Sequence, residues 1–344
     1  MNTNTKRTPL SDLGEFGLIE HLTKSIKNRN KSTQKAVGDD AAVMNYGTKC
    51  VVASTDILLE GIHFDLTYTP LKHLGYKAAV VNFSDIYAMN AQPAQLLVAI
   101  GISSRFCVED IEQIYEGINL ACEIYNVDLA GGDTSTSLTG LTLGLTVLGE
   151  ADKEKICYRN GAKPNDLICL TGNLGAAYMG LQLLEREKKV FEGNANVQPQ
   201  FDGYDYILQR FLKPEARRDI IDAMKDVGVV PTAMIDISDG LSSEIMHICK
   251  QSNAGARIYL DRIPIASQTF KLAEEMGIDA VTAALNGGED YELLFTLPLA
   301  LQNKIKDLGG IDIIGHIVEA QDGCCLVTPD GSEIVLQAQG WRHT

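Results

Sequence analysis

Asp236-Ile237-Ser238-Asp239-Gly240 sets two carboxylates and a hydroxyl among small residues. The pattern recurs outward from it, at Gly38-Asp39-Asp40, Ser54-Thr55-Asp56, Asn82-Phe83-Ser84-Asp85 and Gly131-Gly132-Asp133-Thr134. A Glu version, Gly287-Gly288-Glu289-Asp290-Tyr291, follows late in the chain. Carboxylates on small-residue turns are oxygen ligands for hard cations, and several converging turns would make a multi-metal site suited to phosphate chemistry. Gly132 before Asp133 would let a phosphate approach the main chain. Asx-turns and helix N-caps use the same residue types, so one cluster alone decides nothing. Their recurrence at strand ends carries the weight. Asp236 to Ser242 also reads as the N-cap of a following helix, whose N-terminus favours phosphate.

The segments around these clusters alternate between strand and helix periodicity. Cys50 to Asp56 reads as a buried strand ending in a polar turn, Gln95–Ile102 as an apolar strand and Leu141–Leu148 as another. Helical spacing runs over 74–89 and over 108–125, the latter with Ile111, Ile114, Tyr115, Ile118, Ala121 and Cys122 on one face. A short strand, 127–130, delivers Gly131-Gly132-Asp133. A helix is expected over 12–26, then a polar linker over 27–35. Beyond a boundary near residue 149 come strand 167–171, a helix to Leu184, and a weakly patterned stretch, 185–205, read as a mobile surface insertion. Helices at 215–226, 241–252 and 268–276 and strands at 257–260, 291–297, 311–317 and 324–336 complete the chain. Mixed elements in both halves predict α/β (α+β) architecture in two domains, 1–149 and 150–344.

The 344 residues, 45% hydrophobic, suffice for two domains with real cores. A net charge of −15 argues against nucleic acid and anionic membranes as partners. It also means that a phosphate substrate would need divalent cations to bridge it to this acidic protein. No apolar run is long enough to span a bilayer. The first residues carry no apolar stretch behind their basic ones, so no secretory signal is expected. Eight cysteines without C-x-x-C spacing read as reduced cytosolic thiols, mostly buried, with Cys324-Cys325 placing one thiol on each face of a strand. Familiar phosphate sites are missing: no G-x-x-x-x-G-K-[ST] loop and no kinase Gly-rich loop. An EF-hand counted from Asp236 would need Glu where His247 stands. No Ser lies in a G-x-S-x-G elbow.

From Gly14 to Trp341 the chain resembles the thiamine-monophosphate kinase family, within the aminoimidazole-ribonucleotide-synthetase-like superfamily. The resemblance rests on motifs in family order: Gly38-Asp39-Asp40-Ala41-Ala42, Ser54-Thr55-Asp56 with Gly61-Ile62-His63-Phe64, Lys77-Ala78 through Asn82-Phe83-Ser84-Asp85, Gly131-Gly132-Asp133-Thr134, Arg159-Asn160-Gly161-Ala162-Lys163-Pro164, Asp236-Ile237-Ser238-Asp239-Gly240-Leu241 and Gly287-Gly288-Glu289-Asp290-Tyr291-Glu292-Leu293. It implies transfer of the γ-phosphoryl of ATP to thiamine monophosphate in a cytoplasmic homodimer paired through the N-terminal sheet, with ATP and metals between the domains. Several Mg²⁺ ions would be held by Asp40, Ser54, Thr55, Asp56, Asp85 and Asp133 from the first domain and by Asp236 and Asp239 from the second. ATP would meet Tyr115, Gly132, Asp133, Arg159 and Ser238. Thiamine monophosphate would meet His63, Glu289 and Trp341. No general base is expected, because the acceptor oxygen is already anionic. The stretch 185–205 is longer than the family pattern leads one to expect, and the first ten residues match nothing in it. A selenophosphate synthetase would want a reactive Cys near the N-terminus, and none precedes Cys50. A hydrogenase-maturation carbamoyl dehydratase would want a C-terminal Cys, where this sequence reads Arg342-His343-Thr344. A non-enzymatic metal or nucleotide binder would have no need of acidic sets on both domains.

Overall fold

The computed structural model describes residues 8, 12–13, 18, 21–35, 43–44, 50–193 and 198–337. Contacts divide the chain into two units, Met1–Ile86 with Ala91–Lys153 and Tyr87–Asn90 with Glu154–Thr344. Asp40 and Trp341 lie outside the described residues, as do residues 14–17 and 19–20 of the helix expected over 12–26.

In the first unit β1 (Thr33–Lys35) pairs antiparallel with β2 (Val43–Met44). The stretch expected to be a linker over 27–35 therefore contains a strand. Buried Asp128 holds it: its carboxylate accepts from the backbone N–H groups of Arg29 and Asn30 and from the Thr33 hydroxyl at 2.6 Å. The main sheet comes from β3 (Cys50–Leu59), β4 (Gln92–Ile102), β5 (Asp128–Thr136) and β6 (Thr142–Ala151), with α1 (Leu71–Ala88) and α2 (Val108–Tyr125) as connections. Its order is β3-β6-β4-β5, and β4 and β5 run parallel, as the crossover through α2 requires.

The predicted face of α2 is the buried one, from Ile111 to Cys122. Asp110 reaches back to the Cys107 N–H at 2.9 Å to satisfy the open helix start, and Asn126 ends the helix in left-handed backbone, φ 57°. α1 and α2 meet backbone to backbone. A Cβ on Gly75 would stand 1.9 Å from the Ile114 carbonyl oxygen, and one on Gly117 1.9 Å from that of Lys72. On one sheet face Leu96, Val98, Ile100, Leu143, Leu145 and Val147 are buried. On the other, Val51, Ala53, Thr55, Ile57 and Ala99 are exposed.

The second unit contains β7 (Leu167–Thr171), α3 (Ala176–Gly193), α4 (Asp205–Leu212), α5 (Arg218–Asp226), β8 (Ala233–Asp236), α6 (Leu241–Ser252), β9 (Ala254–Tyr259), α7 (Ser267–Met276), α8 (Ala280–Asn286), β10 (Leu293–Leu297), β11 (Ile311–Glu319), β12 (Cys324–Val327) and β13 (Glu333–Val335). The seven-stranded sheet runs β13-β12-β9-β11-β7-β10-β8. Its central strands β7 and β10 are buried on both faces and read as continuous apolar runs rather than alternations. Ile168, Ile235, Leu294 and Ile314 form one core cluster with Leu241, Ile245 and Ile248 of α6. Met179, Leu183, Ile207 and Leu272 form a second among α3, α4 and α7.

The stretch 185–205 is not one open loop: α3 runs to Gly193 and α4 starts at Asp205. Glu187 is buried and accepts from the Gln200 N–H at 2.9 Å, while Arg186 bridges Glu187 and Glu275 at 2.9 and 2.7 Å. Charge counted as surface patterning is here a packed ionic contact. The segment expected as one strand over 324–336 is a hairpin, β12 and β13, closed through Thr328 and Ser332.

Candidate active site

Strand periodicity sorts the acidic residues of the first unit. Ser54 and Asp56 lie opposite Val147 and Leu145 and so share the helix-covered side of the sheet. There the Ser54 hydroxyl donates to Asp85 of α1 at 2.6 Å. Burial, and then the Asp85 charge, push the Asp56 carboxyl up to about 6. Two carboxylates that repel each other beside a hydroxyl are hard oxygen donors of the kind that divalent cations take. Thr55 points the other way, donating to the Leu145 carbonyl at 2.9 Å and meeting the Thr146 hydroxyl at 2.8 Å. The turn expected at Ser54–Asp56 is mid-strand, since β3 pairs with β6 as far as Leu59.

Gly132 and Asp133 are likewise inside a strand rather than on a turn after it, because β5 continues along β4 to Thr136. Gly132 has to be glycine at this pairing: a Cβ would stand 1.8 Å from the Val98 carbonyl oxygen. Asp133 registers with Ala99, which puts it on the uncovered side with Thr55. The described ligands expected of this unit thus fall into two sets, Ser54, Asp56 and Asp85 on one face and Thr55 and Asp133 on the other. His63 accepts the Leu59 N–H on Nδ1 at 3.0 Å, which leaves the proton of the neutral ring on Nε2. Tyr115 is buried on the inner face of α2, and burial pushes its phenol up to about 12.

In the second unit Asp236 ends β8, buried and paired with Leu293. The chain then leaves the sheet, and Ser238 and Asp239 stand exposed before α6, with Gly240 at φ 119°. The loop 287–292 runs alongside. Glu289 N–H donates to Ser238 O at 2.8 Å, Tyr291 N–H to Ile237 O at 2.9 Å, and Ile237 N–H to Glu292 O at 2.8 Å. The residues expected at ATP and at thiamine, Ser238 and Glu289, are therefore one main-chain hydrogen bond apart. Arg159 is exposed on the connection before β7.

Sequence reasoning missed Glu244. From the first turn of α6 its Oε1 accepts the Asp239 N–H at 2.8 Å and the Ser238 hydroxyl at 3.4 Å. Burial pushes its carboxyl up to about 8, against that amide. An acidic residue four positions after Gly240 was the available signal. Arg210 and Arg217 were missed too, and no local pattern announced them.

Among the described residues no three His, Cys, Asp or Glu side chains form a metal cage. The sets present fit Mg²⁺ in another way. This ion keeps several waters and is commonly held by one or two carboxylates plus substrate phosphates, which is what Asp56 with Asp85 provides.

Residues 38–151 match the family described as AIR synthase related protein, N-terminal domain. Thiamine-monophosphate kinase of Aquifex aeolicus is 33% identical over 334 residues, covering 97% of this chain and 99% of that protein. The chain belongs to the thiamine-monophosphate kinase family. The family member of Bacillus subtilis is 32% identical over 339 residues, covering 96% of this chain and 99% of its own. A solved structure described as AaThiL complexed with AMPPCP and TMP superposes with TM-score 0.75 at 30% identity, covering 99% of this chain and all of that one. The α/β fold is thus the aminoimidazole-ribonucleotide-synthetase-like fold of this kinase family.

Proposed function

We infer that the protein is an ATP-dependent phosphotransferase that converts thiamine monophosphate to thiamine diphosphate, with ADP as second product. The observation that carries this is the full-length relationship to thiamine-monophosphate kinases at a third identity, joined to a like fold described with AMPPCP and TMP. In the transfer, an oxygen of the acceptor phosphate forms a bond to the γ-phosphorus while the bond to the β-phosphate oxygen breaks, and the electron pair leaves with ADP. A phosphate monoester carries its second negative charge above about pH 6, so no side chain has to remove a proton. The work of the protein is positioning and charge neutralisation.

Bound Mg²⁺ would neutralise the two phosphate chains and draw them together. Its holders in this reading are Ser54, Asp56 and Asp85 of the first unit and Asp236 and Asp239 of the second, with Asp40, and Thr55 and Asp133 from the other face of the sheet, as further oxygens. Gly132, Asp133, Arg159, Ser238 and Tyr115 serve ATP. Arg159 contributes a planar fork for phosphate oxygens. His63, with a donor on Nε2, Glu289 and Trp341 serve the thiamine half, where a carboxylate and an aromatic face suit the cationic thiazolium. In this division residues 1–149 bind ATP and metal and mediate dimerisation, and residues 150–344 complete the site.

Two copies pair, in this reading, through the uncovered sheet face. Support comes from Val51 and Ile57, 47% and 56% exposed on β3, among small neighbours Ala53, Thr55 and Ala99. Ile57→Lys should halve the mass seen by light scattering, and an unchanged mass would remove this face from the interface. A cytoplasmic location fits eight cysteines none of which is in a disulfide. No described helix is long and apolar enough to cross a membrane.

The test of the activity is a product assay with ATP, Mg²⁺ and thiamine monophosphate, and free thiamine as control. Thiamine diphosphate with equimolar ADP, from the monophosphate alone, is expected. ATP binding without that product would overturn the substrate assignment.

A further inference from the structure

The loop that carries Glu289 is held in backbone it would not choose. Gly288, Glu289 and Tyr291 all have left-handed φ, at 69°, 58° and 51°. Side chains rarely adopt this region unless their surroundings over-determine it. What over-determines it lies underneath. Asp290 and Glu292, 1% and 2% exposed, both turn inward. The Asp290 carboxylate accepts the N–H groups of Gly175 at 2.7 Å and Ala177 at 3.3 Å. Glu292 accepts the Thr171 hydroxyl at 2.6 Å and Arg217 Nη1 at 2.5 Å.

Arg210 of α4 ties these together. Its Nη1 lies 2.9 Å from Glu292 Oε1 and its Nη2 3.6 Å from Asp290 Oδ1. The same Nη2 donates to the main-chain carbonyls of Asn173 at 3.0 Å and Asp290 at 3.1 Å. One guanidinium therefore grips the loop by side chain and by backbone, at Asp290 directly after Glu289 and at Glu292 beyond Tyr291. Burial opposes its charge, but Glu292 and Asp290 outweigh burial and hold the pKa above the ordinary value. Two carboxylates face two guanidiniums, so the buried charge balances. The planar fork is what a lysine could not replace.

We propose that Arg210 is a positioning residue for Glu289, fixing the left-handed backbone that presents its carboxylate to the thiamine half of the substrate. This rests on the reading of Glu289 as a substrate contact. The neighbouring turn at Ser238 and Asp239 has its own support in Glu244, so loss of the fork should reach thiamine monophosphate before it reaches ATP.

The experiment compares Arg210→Lys, Glu289→Gln and the double variant in the full-length protein, with steady-state constants for both substrates and a melting curve. Arg210→Lys keeps the charge balance and loses the fork. It should raise KM for thiamine monophosphate about tenfold or more, leaving kcat and KM for ATP within about threefold. In the Glu289→Gln background it should add little, since two changes acting through one group are not additive. If Arg210→Lys does not fold, Glu292→Gln weakens the same grip and is read by the same constants. The proposal falls if Glu289→Gln raises KM for thiamine monophosphate and Arg210→Lys does not, or if both KM values rise together. It also falls if the two effects add in full. A Glu289→Gln enzyme with normal constants would instead sink the reading of Glu289 as a contact, and the proposal with it.

Discussion

The two described carboxylate sets proposed to hold Mg²⁺ stand on opposite kinds of scaffold. Asp56 sits within a ten-residue strand and Asp85 within an eighteen-residue helix, and ordinary periodicity aims both side chains. Asp236 ends a strand, and Ser238 and Asp239 follow in irregular backbone beside a loop with three left-handed residues. Regular elements hold a ligand by geometry they already have. Irregular ones need buried braces, and the second unit has them in Glu244 and in the pair of guanidiniums under Glu292. Accessory residues should therefore matter more around the second set, and the ligands themselves equally in both.

The largest expected effect is common to both scaffolds. Asp→Asn at 56, 85 or 236 should lower kcat roughly a hundredfold or more with the fold intact. A variant that keeps near-normal turnover would take its residue out of the metal set and break the equivalence.

Backbone substitutions should separate the scaffolds. A Cβ on Gly288, at φ 69°, would stand 2.3 Å from the Ser238 carbonyl oxygen. Gly288→Ala should cost about 3 kcal/mol or more and lower the melting temperature by roughly 6–12 °C. Gly61 of the first unit also has positive φ, 81°, but nothing within 4 Å of an added Cβ. Gly61→Ala should cost only about 1–2 kcal/mol. Equal losses would mean that strain alone, and not the close approach of two loops, sets the demand.

The smallest effect sharpens the comparison by pH. Folding raises the carboxyls of Asp56, to about 6, and Glu244, to about 8. A carboxyl raised by folding favours the native state most below its unfolded value, near 4, and that advantage is lost as pH rises through the folded value. Without divalent cations the protein should therefore lose stability from about pH 4 to 8, with a slope of at most about 1.4 kcal/mol per pH unit for each group. Asp56→Asn should lower the slope only from about pH 4 to 6. Glu244→Gln should lower it from about pH 4 to 8, and should flatten the part between about pH 6 and 8, where Asp56 has already ionised. Denaturant midpoints measured across this range would show whether the two windows overlap below pH 6 and part above it. A slope unchanged in both variants would place the charge strain elsewhere.

Much of the fold is legible in the chain. The 3.6-residue repeat of Ile111, Ile114, Ile118 and Cys122 gives α2 its bounds, because an amphipathic helix reports its buried face in sequence. Helix α4 was not legible: its single charged turn, Asp205 to Arg210, looks solvent-facing until Arg210 is seen paired with Glu292 through the interior. The acidic clusters were legible as candidate ligands, though the turns assigned to Ser54–Asp56 and Gly131–Asp133 are strands. Glycines and Asp next to β-branched residues mark a turn locally, and pairing with β6 and β4 overrides that mark.

What the sequence by itself determined is the chemistry on offer: acidic clusters among small residues, a net charge that demands cations for any phosphate ligand, and motifs in the order of one kinase family. These depend on residue types and spacing along one chain. Tertiary structure decided which side chains work together. Strand register sends Ser54 and Asp56 to one face and Thr55 and Asp133 to the other. Packing brings Arg210 under a loop eighty residues away, a pairing between buried charges that no local period encodes.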